Sequence, residues 1–396
     1  MTKLTRKQAA PHTHRSHATA TLSRRALSAA VSTVSWATGI RAKNHTLGAV
    51  RVTLHPECRL SLCCTDSESV AHTTVSAETY LPSFDSASIL LDAKILTHAL
   101  KTQPATDDIT ITLSDDGATA RIGTATLPVM PPHPDIRHSL PTPTTPLATI
   151  TSPRAEWLAT HAAVAHAIST EQNRYYLNGI ALQTCRATGR LVAVATDGHR
   201  LVEYAPTAVV LGAMPDTIVP KYAAAQITKI ITATKPSTTP TITIDVDDTR
   251  STWHVGSTTV SVPHIGDSYP DYERCFPAGQ ASWLTLDRAS LHQATQAVAL
   301  PMPPKHTQAV ACSVMLGRLS LRASHPDYGT RDADLAAQAD GAPFPEIGLN
   351  RRYLESMADS APGATLTLGI IDDASPILIT CPGHPQYRAV LVPMRV

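Results

Sequence analysis

Three stretches of alternating Thr and β-branched residues recur along the chain: TITLSDD at 110–116, TITIDVDD at 241–248 and TLTLGIIDD at 365–373. Alternation at period two puts one face of a strand on a core and the other in water. Each stretch ends in an Asp-Asp pair, and a second apolar run follows at 118–122, 251–255 and 376–380. The pattern therefore predicts three hairpins spaced by roughly 130 residues, an internal repeat. A helical period precedes each hairpin, over 89–103, 218–233 and 349–360. Leu91, Ile95 and Ala99 fall on one face of the first of these, and Ile227, Ile230 and Ile231 on one face of the second. Further helices are predicted upstream, over 23–37, 154–169 and 287–299. Leu27, Val31 and Val34 would face the core in one, and Leu158, Ala162 and Ala165 in the next. The fold class is α+β: three similar domains, each with two helices packed on antiparallel sheets.

The ends of the repeats also correspond. TLPVMPPHPDI at 126–136 aligns with VPHIGDSYPDY at 262–272, and Val392-Pro393 stands where Val262-Pro263 does. Seven prolines between Pro128 and Pro146 mark the first junction, and PDYERCFP at 270–277 the second. The expected organisation is a basic flexible tail over 1–16 and domains over 17–145, 146–277 and 278–396.

Composition narrows the function classes. Aromatic residues are only 4% of 396, so the cores must be built from Val, Ile, Leu and Ala. No run of 18 apolar residues occurs, which leaves no helix to span a membrane. Seven cysteines without a CxxC pair argue against a zinc ribbon or a disulfide scaffold, and point to a reducing cytosol. Residues 1–56 hold nine Lys and Arg and no acid, while the rest of the chain is net acidic. His12, His14 and His17 have metal-ligand chemistry, but a tail with no other ligand reads as solvated.

Asp115-Asp116, Asp247-Asp248 and Asp372-Asp373 could be read as paired carboxylates for a metal. Their equivalent places at three hairpin tips favour turn chemistry instead. The most distinctive segments are RYYLNGIAL at 174–182 and AVATDGHRL at 193–201, both read as strands, with Thr196-Asp197-Gly198 a tight turn. Asp197 with His199 would permit acid–base chemistry in a hydrolase. No GxSxG, HExxH, GxxxxGK[ST] or GxGxxG accompanies them, so no catalytic residue, metal or cofactor is expected.

RYYLNG, ATDGHRL, YPDYERCFP, GLNRRYL and VPMRV, in that order, resemble the bacterial β sliding clamps, the processivity subunits of DNA polymerase III. The resemblance covers roughly residues 17–396. It implies a homodimer closed head to tail into a ring of six domains, with helices lining the hole and sheets on the rim. It also implies a cytoplasmic protein without enzymatic activity or cofactor. The implied partners are duplex DNA, the DNA polymerase III catalytic subunit, the clamp loader complex, other clamp-motif proteins and a second copy of the chain.

Carried over residue by residue, the resemblance places a partner-motif pocket at Leu177, Thr196, Gly198, His199, Arg200, Leu201, Pro270, Arg274, Asn350 and Tyr353. Val390, Leu391, Val392, Pro393, Met394 and Arg395 complete it. Apolar walls would bury a partner's Leu or Phe anchors while Asn350, His199 and Arg200 offer polar handles. Arg41, Lys43, Lys94, Lys221, Lys229 and Arg351 are expected to face DNA, meeting phosphates without reading bases. Ile122 and Leu300 are the expected dimer-interface residues. Cys275 and Val396 depart from the apolar β-branched residue and the Leu usual in the family, and 297–307 is proline-rich. These departures fit an alternative, a specialised or inhibitor-tolerant paralogue with the same fold.

Overall fold

The three alternating stretches fold as hairpins. Asp108–Leu113 pairs with Thr119–Ile122, Thr241–Val246 with Arg250–Val255, and Thr365–Ile370 with Ile377–Thr380. The structure, a computed structural model, describes residues 17–38, 45–81, 85–104, 107–114, 117–142, 145–279, 282–301, 306, 308–341 and 343–396. Asp115 and Asp116 lie outside the described residues, as do Arg41, Lys43 and residues 1–16. At the other two tips the first Asp makes an Asx turn. Asp247 Oδ1 accepts from the backbone N–H of Thr249 and Arg250 at 2.7 and 2.8 Å. Asp372 Oδ1 accepts from Ala374 N at 2.9 Å and from Ser375 N. The Ser375 backbone and hydroxyl bonds hold the Asp372 carboxyl below the usual carboxylate range.

Six α-helices occur among the described residues: α1 (Arg24–Val34), α2 (Ala93–Thr102), α3 (Arg154–Val164), α4 (Lys221–Ala233), α5 (Arg288–Ala297) and α6 (Arg351–Ser360). The apolar lead-ins predicted as the first turns of α2, α4 and α6 are strands instead: Ala87–Asp92, Thr217–Pro220 and Ile347–Asn350. A short apolar run suits either state, and the cap decides where the helix begins. Asp92 Oδ1 accepts from Lys94 N and Ile95 N, both at 2.9 Å. Asn350 Oδ1 does the same for Arg352 N and Tyr353 N at 3.0 and 3.4 Å. Starting α2 at Ala93 turns its buried face to Ala93, Leu96, Ala99 and Leu100, and leaves Ile95 47% exposed. In α3 the buried face is Trp157, Thr160, Ala163 and Val164 rather than Leu158, Ala162 and Ala165. The bulk of Trp157 sets that phase, its ring meeting Trp253 edge-on at 4.4 Å. The expected faces of α1 and α4 are the buried ones.

The described chain separates into two compact units. One runs to Pro143 and includes Ser257–Ser261; the other comprises Thr144–Gly256 and Val262–Val396. In the first unit α1 and α2 pack together. A five-stranded sheet there runs in the order Glu78–Tyr80, Thr19–Ser23, Asp108–Leu113, Thr119–Ile122 and Ala125–Pro128. Four further strands lie side by side as Val70–Ser76, Arg59–Thr65, Ala49–His55 and Ala87–Asp92.

The second unit pairs α3 with α4 and α5 with α6. It holds a twelve-stranded antiparallel sheet that starts Thr217–Pro220, Gly179–Thr184, Leu191–Thr196, Arg200–Tyr204. The strand Tyr387–Leu391 comes next, followed by Ile377–Thr380 and Thr365–Ile370. Residues 174–178, predicted as strand, instead make the 3-10 turn Tyr175–Leu177, closed by Leu177 N to Arg174 O and Asn178 N to Tyr175 O at 2.9 Å each. Among the described residues, no helix is long and apolar enough to cross a membrane.

Candidate functional site

The sequence Thr-Asp-Gly-His-Arg builds its own turn. Thr196 Oγ1 donates to Arg200 O at 2.7 Å and accepts from Gly198 N at 3.1 Å. Asp197 Oδ1 accepts from the backbone N–H of His199 and Arg200 at 3.0 and 3.1 Å. Gly198 sits at φ +87°, and a Cβ there would lie 2.5 Å from Arg174 Nη1. Only glycine meets both conditions without strain. Arg174 is clamped by Glu171 through Nε and Nη2 at 2.8 and 2.9 Å, and its Nη2 also reaches Asp197 O at 3.3 Å.

Arg200 is the hub of the site. Its Nε donates to Asp197 Oδ2 at 3.0 Å, its Nη1 to Ser356 Oγ and its Nη2 to the His166 carbonyl. Its guanidinium carbon stands 4.4 Å from the centre of the Tyr353 ring, a cation–π distance. The His199 ring stacks on the same tyrosine at 6.1 Å and 21°. The Asp197 carboxylate is thus committed to the turn and to Arg200, and it builds no acid–base pair with His199.

The final segment docks onto this turn. Arg200 and Leu201 register opposite Leu391 and Val390. Val392 N donates to His199 O at 2.9 Å, and Met394 N to Gly348 O at 2.8 Å. A Cβ on Gly348 would lie 2.1 Å from Met394 O, so a side chain there would push the tail off. Residues from the central third, from α6 and from the last ten positions therefore meet in one compact unit.

Several expected roles change. Leu177, Leu201 and Val390 are not open walls. They are buried with Ala181, Val192, Val194, Tyr269 and Tyr272 in a closed core. Leu391 is fully buried, and the large apolar side chains most open to solvent in the last segment are Val392, 39% exposed, and Val396, 67% exposed. The Asn350 amide oxygen caps α6, which leaves its Nδ2 donors as the polar handle. Pro270 is exposed, and Arg274 pairs with Asp271 at 2.9 Å with its side chain 84% exposed. The sequence reading missed Glu171, Arg174, Ser356 and the ion pair of half-buried Arg388 with buried Glu203, bonded at 2.6 and 2.8 Å. The i,i+3 spacing of Glu171 and Arg174 was the available signal for the first two.

Lys94, Lys221 and Lys229 are exposed on α2 and α4. Arg351 is not: it is 7% exposed and bonds inward, because its position at the start of α6 points it under α5. The exposed arginine there is Arg352. Ile122 and Leu300 are likewise buried within their own chain, so neither offers a side chain to a second copy. On its strand Ile122 takes the inward positions of the alternation, and the outward neighbour is Arg121. Leu300 is held by Gln308, whose Nε2 donates to its carbonyl at 2.8 Å. Among the described residues, no three His, Cys, Asp or Glu side chains gather as metal ligands.

A family model described as the DNA polymerase III beta subunit, central domain, matches residues 156–271, and the one for its C-terminal domain matches 273–395. The chain belongs to the bacterial β sliding clamp family. The beta sliding clamp of Caulobacter vibrioides is 34% identical over 235 residues, 58% of this chain and 61% of that protein. The chain thus spans about 61% of the length of that curated clamp. The Vibrio cholerae clamp is 24% identical over 372 residues, 92% of this chain and 96% of its own length. A crystal structure of the Caulobacter crescentus clamp superimposes with a TM-score of 0.83 at 26% identity, covering 96% of this chain and all of that one. That crystal holds polyethylene glycol at a region described as tethering the beta motif.

Below the hub of this clamp-family site lies His166. Burial, with the Arg200 charge adding and the Ala163 backbone opposing, pushes its pKa down to about 3. A lowered histidine pKa means the folded state binds fewer protons than the unfolded chain between about 6.5 and 3. This contribution is complete above about 6.5 and is lost as the pH falls through that window. Melting temperature should therefore drop between pH 7.5 and 5, and the His166→Phe variant should drop less. Parallel melting curves that fall equally would show that His166 does not titrate with unfolding.

Proposed function

We propose that the chain is a DNA sliding clamp, a processivity factor without enzymatic activity. Three clamp domains, 17–145, 146–277 and 278–396, follow one another, and two chains close head to tail around duplex DNA in the cytoplasm. Exposed Lys94, Lys221 and Lys229 on α2 and α4 support a sequence-independent contact with phosphates. Docking of the last residues against the Thr196–Arg200 turn and against Gly348, in the strand that leads into α6, is the observation that carries the partner role. Here a linear motif of the DNA polymerase III catalytic subunit, the clamp loader or another partner would lie over Val392, His199 and Tyr353. The buried Leu177, Leu201 and Val390 form its floor.

The test is fluorescence anisotropy of a fluorescein-labelled pentapeptide carrying a clamp-binding motif. Binding in the micromolar range is expected for the full chain and should vanish in a variant ending at Leu391. No binding by either protein would overturn the docking role. The basic tail, Cys275 and the proline-rich stretch 297–307 support one second reading, a specialised clamp paralogue. Failure to complement a strain lacking its clamp, with peptide binding intact, would select it.

A further inference from the structure

A separate cleft opens in the first compact unit. Its floor is the face of Ala49–His55 that carries Arg51, opposite the buried Val50 and Val52, together with Ser88 and Leu90 of the neighbouring strand. Its wall is the chain 129–139, fixed to the floor by Met130 N donating to Leu90 O at 2.8 Å. The cavity measures about 470 Å³, within the range of ligand sites.

The internal repeat explains why there is space. RLSLCCTD at 59–66 repeats RLVAVATD at 190–197, and both end in the same turn. Thr65 Oγ1 donates to Ser69 O at 2.8 Å, and Asp66 Oδ1 accepts from Glu68 N and Ser69 N at 3.1 and 2.6 Å. Ser67 takes φ +82° where Gly198 takes +87°. In this register the pair Arg51–Cys63 stands where Ala181–Val194 stands in the second unit. There Tyr272 packs into the same core as that pair. The corresponding residue of the first unit is Ile136, which is smaller and leaves the cleft open.

The lining joins two chemistries. Arg51 and Arg137 supply positive charge, and no carboxylate lines the cleft. Among the described residues neither arginine is ion-paired, and Arg51 Nη1 reaches only the His138 carbonyl at 3.5 Å. Leu90, Met130 and Ile136 supply an apolar patch. An arginine fork prefers a carboxylate, and a neighbouring apolar patch prefers an aliphatic side chain. The hydroxyls of Ser88 and Ser139, on floor and wall, suit the amides of an extended chain.

We propose that this cleft binds a short acidic peptide segment of a partner protein, with an Asp or Glu at Arg51 and Arg137 and an adjacent aliphatic side chain on Leu90, Met130 and Ile136. The test uses the full chain and fluorescein-labelled hexapeptides that pair one Asp or Glu with Leu, Ile or Met at each spacing. Some members should bind with Kd of about 10–100 μM. Arg51→Ala and Arg137→Ala should each weaken them by about tenfold, and Asn or Gln in the peptide should do the same. Truncation after Leu391 should leave this binding unchanged, which separates it from the site of the second unit. Arg137 is exposed, so its variant keeps the test valid if Arg51→Ala fails to fold. Absence of any member binding below about 1 mM, or binding indifferent to both arginines, would overturn the proposal. N-acetylglutamate binding as tightly as the best hexapeptide would overturn the peptide assignment.

Discussion

Arg351→Ala is expected to lower the melting temperature by roughly 4–6 °C and to leave DNA affinity unchanged. The side chain bonds Gln308 Oε1 through Nε, and through Nη1 the Thr295 carbonyl at 3.2 Å and Glu355 at 2.6 Å. Gln308 in turn holds the Leu300 carbonyl. Truncation leaves a buried amide and a buried carbonyl without donors and Glu355 without its partner, a cost of about 3 kcal/mol. Thermal melting reads the first effect. For the second, the slope of binding against salt should fall by about 0.9 for each phosphate contact removed, as in Lys221→Ala/Lys229→Ala, and should not move in Arg351→Ala. A reduced salt slope with an intact melting temperature would return Arg351 to the DNA-facing set.

Arg200→Ala should weaken the motif pentapeptide by at least about tenfold and cost about 2–3 kcal/mol of stability. Both members of the Arg200–Asp197 pair are largely shielded, at 13% and 15% side-chain exposure. The guanidinium is also the link that joins the turn to Ser356, Tyr353 and His166. Without it Asp197 keeps its two backbone donors, so the turn survives while α6 loses its tie. Arg200→Lys should recover part of the stability and little of the affinity, because an ammonium cannot serve several partners as a planar fork does. Urea unfolding separates the two effects. Wild-type affinity in a destabilised Arg200→Ala protein would reduce Arg200 to a structural residue.

Period-two patterning at 110–116, 241–248 and 365–373 located all three hairpins, since one face of each is buried and the other is wet. Helix phase was harder to read. Ile95 against Leu96, and Leu158 against Trp157, differ by one position, and the choice depends on where a cap starts the helix and on the largest side chain. At the site, the sequence brought out the turn residues, because their hydrogen bonds are local. It did not distinguish a wall from a core: Leu177 and Leu201 are apolar in either role, and their burial depends on Tyr269 and Tyr272, far along the chain. Arg351 shows the same limit for charge. A basic residue on a helix reads as solvent-facing until its partners, here Gln308 and Thr295, are placed around it.

The strand Tyr387–Leu391 lies between Arg200–Tyr204 and Ile377–Thr380. Its ion pair from Arg388 to Glu203 spans 185 positions of sequence. Such a pairing closes late in folding, after local hairpins have formed. Until it closes, Arg200–Tyr204 is an open edge beside a finished hairpin, ready to accept a strand from any nearby chain. The complementary strand in another molecule fits as well, so refolding at higher protein concentration should raise the share of strand-exchanged dimers, which size-exclusion chromatography would read. Dilution during refolding, rather than added stability, is the remedy this topology calls for.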